Sequence, residues 1–156
     1  MIYAASITTS KEGSEEQAAS TVLPVTPGLL WLLEVDFPPG CCGLAHIQIF
    51  DGLYQVFPAT PGESFHGDNF TLHLEDLYFK QAAPFEFVLK TWNEDEKWDH
   101  DLQVRVGMAM GRAEMSRYMP ALAWENFQEL MAEAITKQEE TRQLQLEAAL
   151  KAITTK

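Results

Sequence analysis

The sequence predicts a mainly β protein: an antiparallel β-sandwich or jelly-roll-like domain of seven to eight strands, followed by a long C-terminal α-helical segment. Three observations lead to this fold class. Apolar and polar residues alternate in short runs between about residues 21 and 111, with the period of two that is typical of half-buried strands. Pro and Gly separate these runs. Residues 121–153 contain no Gly or Pro and are rich in helix-forming residues.

The first 20 residues differ from both regions because they are mostly small and polar, as in SITTSKEGSEEQAAS. This composition predicts an N-terminal arm over 1–20 that makes few contacts with a core. Ile2, Tyr3 and Ile7 are its main apolar residues, and they either dock on a neighbouring subunit or belong to a frayed terminus.

The sandwich domain is expected over 21–111. Its predicted strands cover 21–25, 29–37, 44–50, 53–57, 70–75, 85–92 and 102–108, with a further short run near 63–66. Turn signals separate these strands (PPG, DG, TPG, HGDN, AAP and WNEDE), and Asp-Gly at 51–52 is typical of a hairpin. Alternation with one solvated face argues against a parallel sheet.

Residues 112–156 are predicted to form a helical extension used in assembly. The spacing of apolar residues produces one stripe near 127–135 and a second near 144–153, separated by the polar stretch 137–143. Both stripes need a partner surface, and the polar stretch leaves open whether 121–153 is one helix or two. The candidate assembly residues are Phe127, Leu130, Met131, Ile135, Leu146, Leu150 and Ile153.

Charge and cysteine content restrict the partners. The 156 residues carry a net charge of −12; residues 1–111 hold 5 Lys and Arg against 16 Asp and Glu, and residues 112–156 hold 6 against 7. An acidic surface repels phosphate backbones and anionic lipids, so neither nucleic acid nor membrane is expected as a partner. No signal-peptide pattern or apolar run of spanning length is found. Two cysteines exclude a disulfide framework, which indicates synthesis in a reducing cytoplasm.

The stretch DFPPGCCG at 36–43 places two adjacent cysteines between glycines. A redox centre favours C-x-x-C spacing or a cationic neighbour, whereas the nearest charge here is the carboxylate of Asp36. The stretch is therefore predicted to be a structural corner with inert cysteines. Its shape would come from fixed φ angles at two prolines and positive φ angles at two glycines: Pro38, Pro39, Gly40 and Gly43.

The stretch WNEDEKWDHD at 92–101 places five carboxylates between and beside two tryptophans. Three interpretations are open: a solvated turn at one end of the sandwich, a surface calcium site, and a carbohydrate-stacking platform. The EF-hand pattern is absent. The candidate binding residues are Trp92, Glu94, Asp95, Trp98 and Asp99.

The four histidines are His46, His66, His73 and His100. They raise the hypothesis of a cupin-like metal site, but their spacing lacks H-x-H followed by a carboxylate, so no metal is expected. The sequence also lacks a nucleophile elbow, a P-loop and a dinucleotide fingerprint. We therefore expect no enzymatic activity and no cofactor.

Four stretches occur in a fixed order along 22–107: VDFPPGCCG, an IFDG turn, VFPATPGESFHGDN and PFEFVLKTWNEDEKWDHDLQVRVG. In this order the sequence resembles small β-sandwich proteins encoded among the structural genes of tailed bacteriophages. The Cys-Cys pair, the acidic 93–96 loop and the C-terminal segment depart from that pattern. The resemblance implies a virion component without catalysis, in a head decoration, connector, tail or fibre.

The expected function is thus that of a non-enzymatic structural virion protein, made in the host cytoplasm. It would form a homo-oligomer through its N-terminal arm and C-terminal helix and bind other virion proteins. The alternative is a module that binds carbohydrate or a receptor through loop-tip tryptophans, and a third hypothesis is the cupin-like metalloenzyme.

Overall fold

The computed structural model describes residues 1–119, 128 and 131–137. The chain divides into two compact units, Met1–Met110 and Gly111–Lys156. The first unit is mainly β and contains two antiparallel sheets, which confirms the predicted class.

Ten strands run through residues 1–110: β1 Ile2–Thr9, β2 Ala19–Pro24, β3 Gly28–Phe37, β4 Ala45–Asp51, β5 Tyr54–Phe57, β6 Phe65–His66, β7 Phe70–Leu74, β8 Tyr78–Lys80, β9 Glu86–Asn93 and β10 His100–Ala109. Sheet A has the order β1-β10-β3-β7, with β8 also paired to β3. Sheet B has the order β2-β9-β4-β5, with β6 also paired to β4. The first four strands alternate between the sheets, so the chain crosses repeatedly from one sheet to the other.

The two sheets share one apolar core, in a sandwich-like arrangement. From sheet B, Ile47, Ile49 and Phe87 are fully buried, and from sheet A so are Val104 and Val106. These residues occupy alternate positions of their strands, as the period of two predicts. Each such side chain contributes about 1.5–3 kcal/mol when it leaves water.

The prediction of an N-terminal arm with few core contacts is wrong for residues 2–9. Residues Ile2–Thr9 form β1, which pairs with β10 along its whole length, from Ile2 opposite Gly107 to Thr9 opposite His100. Ile7 is buried in the core. The sequence did not predict this strand, because most of its residues are small and give only a weak alternation of apolar and polar side chains. Its main-chain hydrogen bonds to β10, rather than bulky apolar side chains, hold it in the sheet.

A bulge changes which side chains of β3 face the core, because strict alternation from Leu33 would turn Trp31 inward and Leu30 outward. The register shifts between Gly107 and Met108 of β10, so Gly107 pairs with Leu32 and Met108 pairs with Leu30. Leu30 therefore enters the core cluster in place of Trp31. The Trp31 ring lies against Gly107, where a Cβ would approach the ring to 2.8 Å. The absence of a side chain at Gly107 makes room for the tryptophan.

A buried charged pair links the two sheets. Lys80 of β8 is fully buried, and its Nζ donates to Oδ1 of Asp51 at the end of β4. The hydroxyl of Tyr78 donates to the other oxygen of Asp51 at 2.9 Å. The Phe87 ring lies beneath the ammonium group, 5.9 Å from ring centroid to Nζ. Sequence reasoning missed this network because β8 was not predicted.

The long helix predicted over 121–153 is not supported by the described residues. These contain one short α-helix with both ends defined, α1 Arg112–Tyr118, a 3-10 turn at Glu15–Gln17, and helical backbone at 128 and 131–137. After α1, Met119 has φ −131° and ψ 61°, outside the helical region. The following residue, Pro120, disfavours helical geometry at the position before it. The rest of the predicted helix lies outside the described residues.

We expect Asp51→Ala to destabilise the protein more than Lys80→Met. The first change leaves a fully buried ammonium without its carboxylate, which costs about 3–5 kcal/mol. The second leaves Asp51, whose side chain is 19% exposed and keeps access to water. Urea unfolding of both variants measures the two losses. If both variants lost the same free energy of unfolding, the unpaired buried ammonium would not be the cause of the destabilisation.

Candidate functional site

The sandwich has two ends of different chemistry. We call one the Asp95 end: it contains the turn from β9 to β10, the 10–13 connection, the 38–44 corner and the 67–69 turn. We call the other the Leu53 end: it contains the 25–27 connection, the turn from β4 to β5 and the 81–85 connection. Candidate residues from the sequence lie mainly at the Asp95 end.

The acidic turn at the Asp95 end is built on a buried amide. Asn93 is fully buried; its Nδ2 donates to the carbonyl of Trp98 at 2.8 Å and its Oδ1 accepts from the Asp95 amide at 3.0 Å. Oδ1 of Asp95 accepts from the Lys97 and Trp98 amides at 2.7 and 3.2 Å. In both cases a side-chain oxygen accepts from a main-chain amide two or three residues later, which is the pattern of an Asx turn. Asp95 thus determines the shape of the turn.

Two further carboxylates, those of Asp99 and Asp101, bind the N-terminal segment. Oδ1 of Asp99 accepts from the Lys11 amide at 2.9 Å, and Oδ1 of Asp101 accepts from the Thr8 hydroxyl at 2.6 Å. The main chain adds bonds from Glu12 to Asp95 and from Gly13 to Asn93. The carboxylates therefore tie β1 and the 10–13 connection to the β9–β10 turn.

The two tryptophans do not form a joint platform. Trp92 is 6% exposed and stacks on His46, with ring centroids 4.9 Å apart and planes at 1°. Its Nε1 donates to Glu94 Oε1 at 3.3 Å. Trp98, by contrast, is 68% exposed. Of the two tryptophans, only Trp98 offers an aromatic face to a ligand.

The histidines occupy three separate places. His46 and His66 face each other across β4 and β6, with ring centroids 5.1 Å apart. Burial, as the largest cause, lowers the pKa of His46, so its ring stays neutral at physiological pH. His100 Nε2 lies 3.1 Å from Asp95 Oδ2. His73 lies on the outer face of sheet A, 3.0 Å from Glu34.

The 38–44 corner packs against the 67–69 turn. Gly40 and Gly43 have φ angles of +97° and +77°. The Gly40 amide donates to Asp68 Oδ1 at 2.7 Å, and the Pro38 carbonyl accepts from the Asn69 amide at 3.3 Å. Pro39 lies between these anchored residues.

The two cysteines of the corner have different environments. Cys41 is fully buried, whereas Cys42 is exposed. Burial raises the pKa of Cys41 to about 11, and the charge of Asp68 adds to the increase. Cys41 is therefore a protonated thiol at neutral pH and a poor nucleophile.

Two geometric findings concern metals and membranes. Among residues 1–119, 128 and 131–137, no group of three His, Cys, Asp or Glu side chains is placed to hold a metal ion. Within the same part of the chain, no helix is long and apolar enough to cross a bilayer.

The Leu53 end exposes apolar side chains. Leu53 and Tyr54 project from the β4–β5 turn, with Leu53 entirely exposed and Tyr54 67% exposed. Six further exposed apolar side chains belong to this half of the strand register: Met1, Ile2, Val22, Leu77, Phe85 and Met110. The strand register places these residues in one half of residues 1–110, although they are far apart in the sequence. Phe70 and Trp98 are exposed at the Asp95 end. In the sequence, Leu53 directly after the Asp-Gly turn at 51–52 was the signal that could have predicted an exposed apolar side chain.

The predicted assembly residues are mostly outside the described part of the chain. Met131 is half-buried and Ile135 is exposed, both in helical backbone. Phe127, Leu130, Leu146, Leu150 and Ile153 lie outside the described residues.

In comparisons with known proteins, no family model matches the chain and no curated protein is significantly similar to it.

We expect Asp95→Asn to lower stability at neutral pH and to lose this effect in acid. Hydrogen bonds, first from the Lys97 amide and then from His100, hold the pKa of Asp95 below its ordinary 3.8. The ionised carboxylate therefore stabilises the fold above pH 3.8, and this contribution disappears as pH falls through the lowered pKa.

Denaturant midpoints at a series of acidic pH values test this expectation. The matched control is Glu96→Gln, an exposed neighbour in the same turn. A deficit of Asp95→Asn that stays constant down to the most acidic pH would contradict the role of its charge.

Proposed function

We propose that this chain is a non-enzymatic structural protein, the sandwich building block of a larger particle of the tailed-phage virion type. Its partners would be further copies of itself and other proteins of the particle. In this proposal the protein is made in the host cytoplasm and ends in the virion. The carrying observation is the adjacent pair of exposed apolar side chains, Leu53 and Tyr54, at the β4–β5 turn.

The strand order supports this proposal. If the eight longer strands are numbered in chain order, the sheets read 1-8-3-6 and 2-7-4-5. This is the strand order of a jelly roll, an architecture used by viral capsid proteins, by lectins and by cupins. Since one fold serves several functions, the argument depends on the surfaces.

The surfaces favour binding over chemistry. Carboxylates at the Asp95 end accept hydrogen bonds within the turn or from the N-terminal segment, and the buried thiol is protonated. Leu53 and Tyr54, in contrast, present apolar surface to water. Contiguous exposed apolar surface is typical of a protein contact site. The proposed assembly contacts are this end and the C-terminal segment.

Light scattering on the full chain tests the assembly role. We expect a defined oligomer whose mass falls when Leu53 and Tyr54 are both changed to Ser. Trp98→Ser is the matched control, because it removes an exposed aromatic side chain at the opposite end. A full chain that stays monomeric at every concentration measured would rule out self-assembly.

A second candidate function is carbohydrate or receptor binding, favoured by one observation: Trp98 projects from the acidic turn with most of its ring exposed. Aromatic faces stack on sugar rings, and carboxylates beside them accept sugar hydroxyl bonds. We expect Trp98→Ala to abolish any signal on a glycan array while the melting temperature stays unchanged. An array without signal for the parent protein would eliminate this candidate.

A further inference from the structure

Among the strands of residues 1–110, β1 is an edge of sheet A. It pairs with β10 on one side over all of Ile2–Thr9, and no strand of residues 1–110 pairs with its other side. β2 lies near it but belongs to sheet B. The free edge therefore presents a row of main-chain groups that can accept another strand.

The register identifies those groups. Met1 and Met108 exchange both of their main-chain bonds, with Met108 N donating to Met1 O at 2.7 Å. In an antiparallel ladder, hydrogen-bonded and non-bonded pairs alternate. The odd-numbered residues of β1 therefore bond to β10. The outward N–H and C=O groups belong to Ile2, Ala4, Ser6 and Thr8.

This edge lacks the features that usually protect a sheet edge. β1 has eight residues, IYAASITT, without charge or Pro. On the far side of sheet A the edge is divided between β7 and β8, with five and three residues. In sheet B one edge is divided between β5 and β6, and the other, β2, ends at Pro24. Short strands and proline commonly prevent an edge from pairing with another chain. β1 differs from the other edges because it has neither feature.

We propose that β1 pairs with β1 of a second copy, antiparallel about a two-fold axis at Ala5, to join two A sheets into one. This register places Ile2 opposite Thr8 and Ala4 opposite Ser6. Every outward main-chain group of these four residues then meets a complementary group. The interface is isologous, as in most homodimers.

Charge favours a second copy as the occupant. The chain carries a net charge of −12, so two copies repel each other wherever their carboxylates meet. β1 contains no carboxylate, and Asp101 beside it is occupied by the Thr8 hydroxyl. The edge can therefore bring two acidic copies together without opposing charges within the paired strands. This inference rests on the proposed self-assembly and names its contact.

Site-directed cross-linking tests the register. In a full-length Cys42→Ser background, Ala5→Cys would face its own copy as a non-hydrogen-bonded pair, about 4.5 Å between Cα atoms, which suits a disulfide. Ala4→Cys is the matched control, since its equivalents lie about 7–8 Å apart along the diagonal. Dissolved oxygen is the oxidant, and non-reducing electrophoresis is the readout.

We expect Ala5→Cys to give a disulfide dimer and Ala4→Cys to stay largely monomeric. Random collision favours the opposite result, because Ala4 is exposed while Ala5 is half-buried. Equal cross-linking of the two variants, more at Ala4, or none at Ala5 would overturn the proposal.

Ser6→Pro separates this inference from the proposed function. It removes an outward N–H and leaves the bonds to β10 in place, so we expect the mass from light scattering to fall while the circular dichroism spectrum is retained. If Ser6→Pro keeps the parent mass and only the Leu53 and Tyr54 double variant loses it, the β1 contact is wrong and the assembly role stands. A monomeric parent chain refutes both.

Discussion

The buried ammonium group of Lys80 links the two sheets through its ion pair with Asp51. The position of the β4–β5 turn at the Leu53 end depends on this pair. An unpaired charge inside an apolar core costs several kcal/mol, so Lys80 requires a carboxylate from the facing sheet. Asp51 supplies it from the last position of β4, and Tyr78 occupies the second carboxylate oxygen. This link fixes the β4–β5 turn against sheet A. The residues after Asp51 then project outward, which is why Leu53 and Tyr54 lie in water.

The opposite end depends on polar contacts of another kind. The buried amide of Asn93 joins the β9–β10 turn, and the main chain of the 10–13 connection adds bonds to the same turn. Carboxylates that resemble a cation site in the sequence accept protein N–H and O–H groups here. Part of an acidic cluster can therefore be structural: Asp95 and Asp99 pair main-chain donors that the turn and the 10–13 connection would otherwise leave unpaired.

Residues 1–110 thus carry an exposed apolar turn at the Leu53 end, an acidic turn at the Asp95 end and the edge strand β1. Each of these surfaces suits a different contact, as the proposed building block of a particle requires. The uncharged β1 edge is notable on so acidic a chain, because it allows two copies to approach without bringing carboxylates into opposition within the pair.

The sequence by itself determined the mainly β class and most strand positions, because a period of two is a local property. It did not reveal β1 or β8, whose small or mixed residues become strands only when a neighbouring ladder pairs with them. The bulge at Trp31 depends on the register opposite Gly107, and the Lys80–Asp51 pair joins residues from separate sheets. Pairing between distant segments decided these features, as well as which exposed apolar residues share an end.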